Sequence, residues 1–221
     1  DNTLVINGLI KLDINFTIKS PTPLTSDISD KMVSKTILLA LCLLPVVFSQ
    51  TNTTFTGTCP TVLIQAKFNE TKFAGKWYEV KRFNNTFITG HCGRPSYKWN
   101  KTNYTVTYPT KNLQTGTVVT TNFTLKKQLL QNPGKYDVYA NKVKNFIPQY
   151  ILSTDYNTYS VVWGCSYKNN QNIQHLFVYS RNGTLSANFF NKTIKPILVQ
   201  NKLNVTRLVD IVQDPKKCGG L

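Results

Sequence analysis

Few residues in this chain can do acid–base, nucleophilic or metal chemistry, and their spacing joins none of them into a working group. The 221 residues hold two histidines and ten carboxylates against 26 lysines and arginines. Six of the carboxylates lie after residue 49, which leaves little material for paired acids. No serine, histidine and aspartate stand in a pattern that would activate a nucleophile. His91 adjoins Cys92, and His175 lies at the end of a strand-like run, so both read as surface or loop groups rather than haem or metal ligands. Cys42 sits inside an apolar run. The other four cysteines, Cys59, Cys92, Cys165 and Cys218, form an even set that suits two disulfides in an oxidising compartment and leaves no thiol for catalysis. An enzyme is not expected, nor is an obligatory cofactor or metal.

The abundant chemistry is aromatic, with 12 Phe, 11 Tyr and 3 Trp. Rings with a few hydroxyls suit a flat or long apolar ligand with a polar end, so binding rather than turnover is the expected chemistry. The elements that would position these rings begin after a secretory signal. Met32 is the only methionine, Lys35 gives a charged start, residues 36–48 are apolar, and Val47-Phe48-Ser49 offers a cleavage site before Gln50. The apolar run is too short for a transmembrane helix. Residues 1–31 read as an upstream segment outside the mature protein, residues 32–49 as signal peptide, and residues 50–221 as one secreted domain with room for a substantial core.

Beyond residue 49 there are 22 basic and 6 acidic side chains, so the mature domain carries the excess of 16. The basic residues are scattered, with no run longer than two. A diffuse positive field suits an anionic ligand, a membrane or a cell-surface receptor, and secretion argues against nucleic acid. Glycosylation acceptor triplets occur at Asn52, Asn69, Asn84, Asn100, Asn103, Asn122, Asn182, Asn191 and Asn204, several of them near turns.

The domain reads as eight strands over 77–83, 96–100, 104–108, 116–130, 136–141, 149–154, 159–167 and 174–181, joined by short polar turns. Tyr97 and Trp99, then Tyr104, Val106 and Tyr108, alternate along two of them. After Arg181 the period changes. Leu185, Phe189, Phe190, Ile194, Ile197, Leu198 and Asn201 share one side of a helix starting near Thr184 or Ser186, with a kink expected at Pro196. A last strand-like piece covers 205–212. Eight short-linked antiparallel strands and one C-terminal helix predict an all-β, up-and-down barrel whose interior is either filled or holds one small ligand. Cys59 and Cys218 lie in the non-periodic termini, and Cys92 and Cys165 beside or within strands. Each terminus is therefore expected to be tied to the sheet, in either of the two terminus-to-strand pairings.

Gly75-Lys76-Trp77-Tyr78 at the first strand, Thr154-Asp155-Tyr156 in a turn and Arg181 ending the eighth strand together resemble the lipocalin motifs. The cysteine positions and residues 150–165 are similar to the group that holds apolipoprotein D and the insect bilin-binding proteins. The resemblance implies that Trp77 and Arg181 pack together at the closed end of the barrel, and that Cys59 pairs with Cys165 and Cys92 with Cys218. It also implies a pocket open at the other end, holding a lipid such as a fatty acid or a bilin such as biliverdin. Alternation gives Tyr97, Trp99, Tyr136, Val138, Trp163, Phe177 and Tyr179 as its lining; Tyr97 and Phe177 match aromatic pocket positions of apolipoprotein D. The opposing expectation is a structural or storage glycoprotein, whose bulky interior would leave no cavity. The open-end loops at 84–91 and 142–146 are the surface a receptor would read.

Overall fold

The structure, a computed structural model, describes residues 54–128, 133–140 and 143–221. The upstream segment, the expected signal and its cleavage site, and Asn52 lie outside the described residues. The eight expected strands form as β3 (Tyr78–Phe83), β4 (Ser96–Trp99), β5 (Asn103–Lys111), β6 (Val118–Lys127), β7 (Lys135–Ala140), β8 (Val143–Thr154), β9 (Tyr159–Lys168) and β10 (Gln171–Ser180). Three short strands join them: β1 (Thr54–Thr56), β2 (Gly75–Lys76) and β11 (Leu208–Asp210). All pairings are antiparallel, and the sheet runs β11-β3-β10-β9-β8-β7-β6-β5-β4-β2, with β1 on β10.

This ladder does not close as a continuous ring of strands. β2, at one end, runs on through the single residue Trp77 into β3, which lies next to β11 at the other end. The Trp77 and Glu79 N–H groups donate to the carbonyls of Pro95 (2.9 Å) and Gly93 (2.8 Å), continuing the β2–β4 pairing past Lys76↔Ser96. A bulge at Val178/Tyr179 opposite β3 bends the sheet there.

One core lies inside the sheet and one outside it. The inner cluster holds Trp77, Tyr97, Tyr104, Tyr108, Phe123, Tyr136, Val162, Phe177 and Tyr179, among others. The outer cluster joins Val80, Phe83, Val161, Trp163, Leu176 and Val178 to Ile194 and Leu198 of the C-terminal helix. Ile194 and Leu198 are fully buried, a contribution of roughly 1.5–3 kcal/mol each. That helix starts at Ser186, whose hydroxyl accepts from the Phe189 N–H (3.1 Å), and runs through Ala187–Phe189, a wide π turn Phe190–Ile194, and Lys195–Gln200. That turn lies immediately before Pro196, where the sequence predicts a kink. A proline lacks an N–H and crowds the carbonyl one turn back; the Lys195 N–H reaches Phe190, so the backbone widens rather than ending. The expected strand over 205–212 is a 3₁₀ turn, Val205–Arg207, followed by the short β11. Cys59 is bonded to Cys165 and Cys92 to Cys218, tying both termini to the sheet.

At one end the three motif segments converge. The Arg181 guanidinium lies over the Trp77 ring at 3.7 Å. It donates to the carbonyls of Tyr156 (2.8 Å), Lys76 (2.7 Å), Lys72 (3.1 Å), Phe73 (3.2 Å) and Ala74 (3.1 Å). Three of these acceptors end the short helix Glu70–Phe73 or follow it, where carbonyls lack helical partners. The Trp77 indole N–H adds a bond to Phe73 (2.9 Å). Gly75 takes φ +102, and a β-carbon there would stand 3.3 Å from Arg181 Nη1, so the glycine supplies both a left-handed turn and close approach. The Asp155 carboxylate accepts from the N–H groups of Asn157, Thr158 and Tyr159 (3.1, 2.7 and 3.0 Å), fixing the turn that offers Tyr156 to Arg181. Burial alone would raise the Asp155 carboxyl, but these backbone donors hold it below the usual carboxylate range.

Replacing Arg181 with Ala should lower the unfolding free energy by about 2–4 kcal/mol in denaturant titration, from the lost cation–π contact and unpaired carbonyls. Arg181→Lys should recover little, because one ammonium cannot span the five acceptors. Near-wild-type stability of either variant would contradict this role.

Candidate ligand-binding site

A pocket lies at the end of the barrel away from Trp77. Tyr97, Val106, Tyr108, Phe123, Leu125 and Val138 line one side, and Gln149, Gly164, His175, Phe177 and Tyr179 the other. Phe87 and Ile88 cover it from the loop after β3. That loop is shaped by the buried Asn85, whose side-chain oxygen accepts from the N–H groups of Phe87 (3.0 Å) and Ile88 (2.7 Å) while its amide donates to Phe83 (3.0 Å). The turn aims the two apolar side chains inward, and the Phe87 ring meets Phe123 at 5.6 Å. Phe177 and Tyr179 stack with centroids 5.8 Å apart. The free space between these groups is about 50 Å³, so rings fill most of the interior.

Of the residues that alternation assigns to the lining, Tyr97, Val138, Phe177 and Tyr179 stand around this space. Tyr136 is buried in the same inner cluster and Trp99 is partly buried against it, the two packing on Tyr104 at 5.4 and 4.8 Å rather than lining the free space. Trp163 is a correction. It faces outward, stacks near Tyr150 (5.7 Å), and its indole N–H donates to Gln174 (3.1 Å) beneath the outer elements. Along β9 its neighbours Val162 and Gly164 are the ones that face in. Because both faces of β9 are covered, six successive residues are buried and alternation loses its meaning there. His175 is a second correction: it lines the pocket rather than sitting on the surface, and burial pushes its imidazole down to about 4, neutral at pH 7. His91 does lie in a loop, where its Nδ1 accepts from the Val212 N–H (3.2 Å).

Val106, Tyr108, Phe123 and Leu125 also line the pocket and are missing from the expected set, although the alternation of β5 and β6 carries the signal for them. Phe87 and Ile88 carry no periodic signal, since an Asn-centred turn places them.

Beside the pocket is a polar group that sequence pattern does not reveal. Glu79 is completely buried, with its carboxylate 3.1 and 3.3 Å from Arg82 Nη1. Arg82 Nη2 donates to Gly90 in the covering loop (2.8 Å). Gly93 makes room: a β-carbon there would collide with the Glu79 carboxylate and press on the Tyr108 ring. Burial raises the Glu79 carboxyl to about 7, although Arg82 and the Tyr108 hydroxyl pull the other way.

The acceptors Asn69, Asn84, Asn100, Asn122, Asn182, Asn191 and Asn204 are exposed, and Asn103 is partly so. Several have structural duties. Asn69 caps the helix Glu70–Phe73, and Asn100 shapes the β4–β5 turn through bonds to Thr102 and Asn103.

Residues 74–213 match the family described as Lipocalin / cytosolic fatty-acid binding protein family, and the chain belongs to it. By that description it is a family of binding proteins rather than enzymes. Apolipoprotein D of Rattus norvegicus is 26% identical over 187 residues, which are 83% of this chain and 97% of the relative. The Lazarillo protein of Schistocerca americana is 29% identical over 160 residues, 69% of this chain and 73% of the relative. Among solved structures, lobster apocrustacyanin A1 superposes with TM-score 0.65 at 22% identity, covering 73% of this chain and 92% of that one. Insecticyanin from the tobacco hornworm Manduca sexta gives 0.64 at 18% identity, covering 76% and 92%. These two likenesses establish the shared fold.

The raised Glu79 carboxyl has a sign. Between its unfolded value of 4.5 and about 7 the folded protein holds a proton that the unfolded chain has lost, so stability falls as pH rises through that window, by up to roughly 3 kcal/mol. Denaturant unfolding at about pH 5 and pH 8 should show a steeper fall in the wild type than in Glu79→Gln. Parallel profiles would contradict the assignment.

Proposed function

We propose that this lipocalin is a secreted, glycosylated carrier that holds a small hydrophobic ligand in the open end of its barrel. The observation that carries the reading is the apolar, ring-lined pocket beneath Phe87 and Ile88, closed on its far side by the Trp77 floor. Tyr97, Val138, Phe177 and Tyr179, joined by Tyr108 and Phe123, are the proposed contact residues. Lipid is favoured over a bilin such as biliverdin, because the described lining contains no lysine or arginine to meet two propionates. The family's description and the relatives named apolipoprotein D point the same way. Two disulfides suit an oxidising compartment, and no helix among the described residues is long and apolar enough to cross a membrane. The exposed acceptor asparagines suit glycosylation, and the covering loop is the proposed surface for a receptor.

One observation favours the opposing reading, a structural or storage glycoprotein without an obligate ligand. Free space of about 50 Å³ is far below the roughly 300–1,000 Å³ of pockets that enclose drug-sized ligands. A carrier must therefore displace Phe87 and Ile88, which the Asn85 turn and their packing on the inner cluster hold over the pocket.

Protein secreted from eukaryotic cells should yield, on organic extraction, near-stoichiometric lipid by mass analysis and no blue-green absorption band. Such a band would replace lipid with a bilin. An empty extract, together with no binding of added lipids by calorimetry, would leave the structural reading.

A further inference from the structure

A second cavity lies outside the barrel, between the start of the C-terminal helix, β3 and the tail that follows β11. Its volume is about 490 Å³, against about 50 Å³ inside the barrel. That is within the roughly 300–1,000 Å³ of small-molecule sites. Leu185, Ala187 and Phe190 line it from the helix side, and Lys81, Asp210 and Asp214 from the strand side.

The chemistry of these walls narrows what fits. Lys81 is already matched: it pairs with the Asp210 carboxylate, and its ammonium lies 5.0 Å from the centre of the Phe190 ring. The Asp210 side chain is nonetheless 82% exposed, and Asp214 is exposed as well. Two of the six acidic side chains beyond residue 49 thus line one groove of a domain that carries 22 basic ones. An anionic ligand would meet like charge here, and a hydrocarbon would cover carboxylates without pairing them. Ionised carboxylates only accept hydrogen bonds, and a sugar offers them hydroxyl donors while its C–H faces suit Leu185, Ala187 and the Phe190 ring. A sugar also has its point of attachment in the wall itself. Asn191 lines the cavity, is exposed, and opens the acceptor triplet Asn191-Lys192-Thr193. Side chains lean toward the N-terminus of their helix, so a group attached to Asn191 lies over Ala187, four residues earlier, which is small and exposed. Gly183 and Thr184 continue the cavity in that direction.

We propose that the sugar on Asn191 lies in this outer groove, with its first residues against Ala187 and Phe190, and bridges the C-terminal helix to the segment around β11. The proposal rests on the reading of the chain as a secreted glycoprotein and specifies where one of its sugars sits. The groove is then an intramolecular sugar site, filled by the protein's own modification rather than by a free ligand.

Protein secreted from eukaryotic cells, treated with peptide N-glycosidase without denaturant and followed site by site by mass analysis, tests the placement. The Asn191 sugar should be released about tenfold more slowly than sugars at occupied acceptors away from the groove, such as Asn100 and Asn122, because the enzyme acts only on molecules whose sugar has left the groove. Denaturation should abolish the difference. Ala187→Trp, which fills the space under the sugar, should raise the native rate at Asn191 toward the rate at the other sites and leave theirs unchanged. Equal native rates in the wild type would overturn the placement, and so would an Asn191 that carries no sugar while other acceptors do; either result leaves the glycoprotein reading standing. Slow release that survives Ala187→Trp would overturn the assignment to this groove. The wild-type comparison decides the placement even if that variant does not fold. Sugar at none of the acceptors would remove the glycoprotein reading, and the placement with it.

Discussion

The Arg181 guanidinium is the contact on which the rest of this barrel depends. It leaves the end of β10, covers the Trp77 ring and donates to carbonyls of the Glu70–Phe73 helix, the β2 residue Lys76 and the β8–β9 turn. A planar cation with five N–H groups can satisfy several stranded acceptors and still present a face to an indole, which an ammonium cannot. Trp77 is also the residue through which β2 passes into β3, so the same contact bridges the gap in the sheet and covers that end of the barrel. The pocket lies toward the opposite end.

Outside, the C-terminal helix covers β3, β9 and β10, so these strands are packed on both faces. Inside, rings fill the lower barrel and thin out toward the mouth. A buried acid belongs to neither layer by ordinary preference. Glu79 is there because Gly93 leaves the space and Arg82 supplies the charge, and Arg82 in turn reaches the covering loop. The polar group beside the pocket and the loop above it are thus one connected structure. Removing either partner would leave the other charge buried and unmatched, a larger cost than the net worth of the pair.

Much of the fold was legible in the residues because one-sided strands announce themselves. Tyr97 with Trp99, and Tyr104 with Val106 and Tyr108, alternate cleanly, and Gly75, Trp77 and Arg181 fall where a closed floor needs them. Legibility failed where a second element changed the rule. Trp163 lies on a strand buried on both sides, so its parity could not be read. β8 begins at Val143, well before the expected residue 149, because Lys144, Asn145 and Pro148 break the apolar pattern while the backbone still pairs with β7. Pro196 predicted a kink, and the backbone widens into a π turn just before it. The site was half legible: the ring-bearing strands were found, but Phe87 and Ile88 are placed by an asparagine turn, and the Glu79–Arg82 pair exists through a bulge that puts residues three apart on the same inner face.

The central claim is that the barrel is fixed at its Trp77 end and openable at the other, and residue-resolved amide hydrogen exchange tests it most directly. The account predicts that the amides of Trp77, Glu79 and Arg181, bonded to Pro95, Gly93 and Thr158, exchange only with global unfolding, while those of residues 84–91 exchange through a much smaller local opening. Floor amides that exchange as fast as the loop, or a loop as protected as the floor, would contradict it.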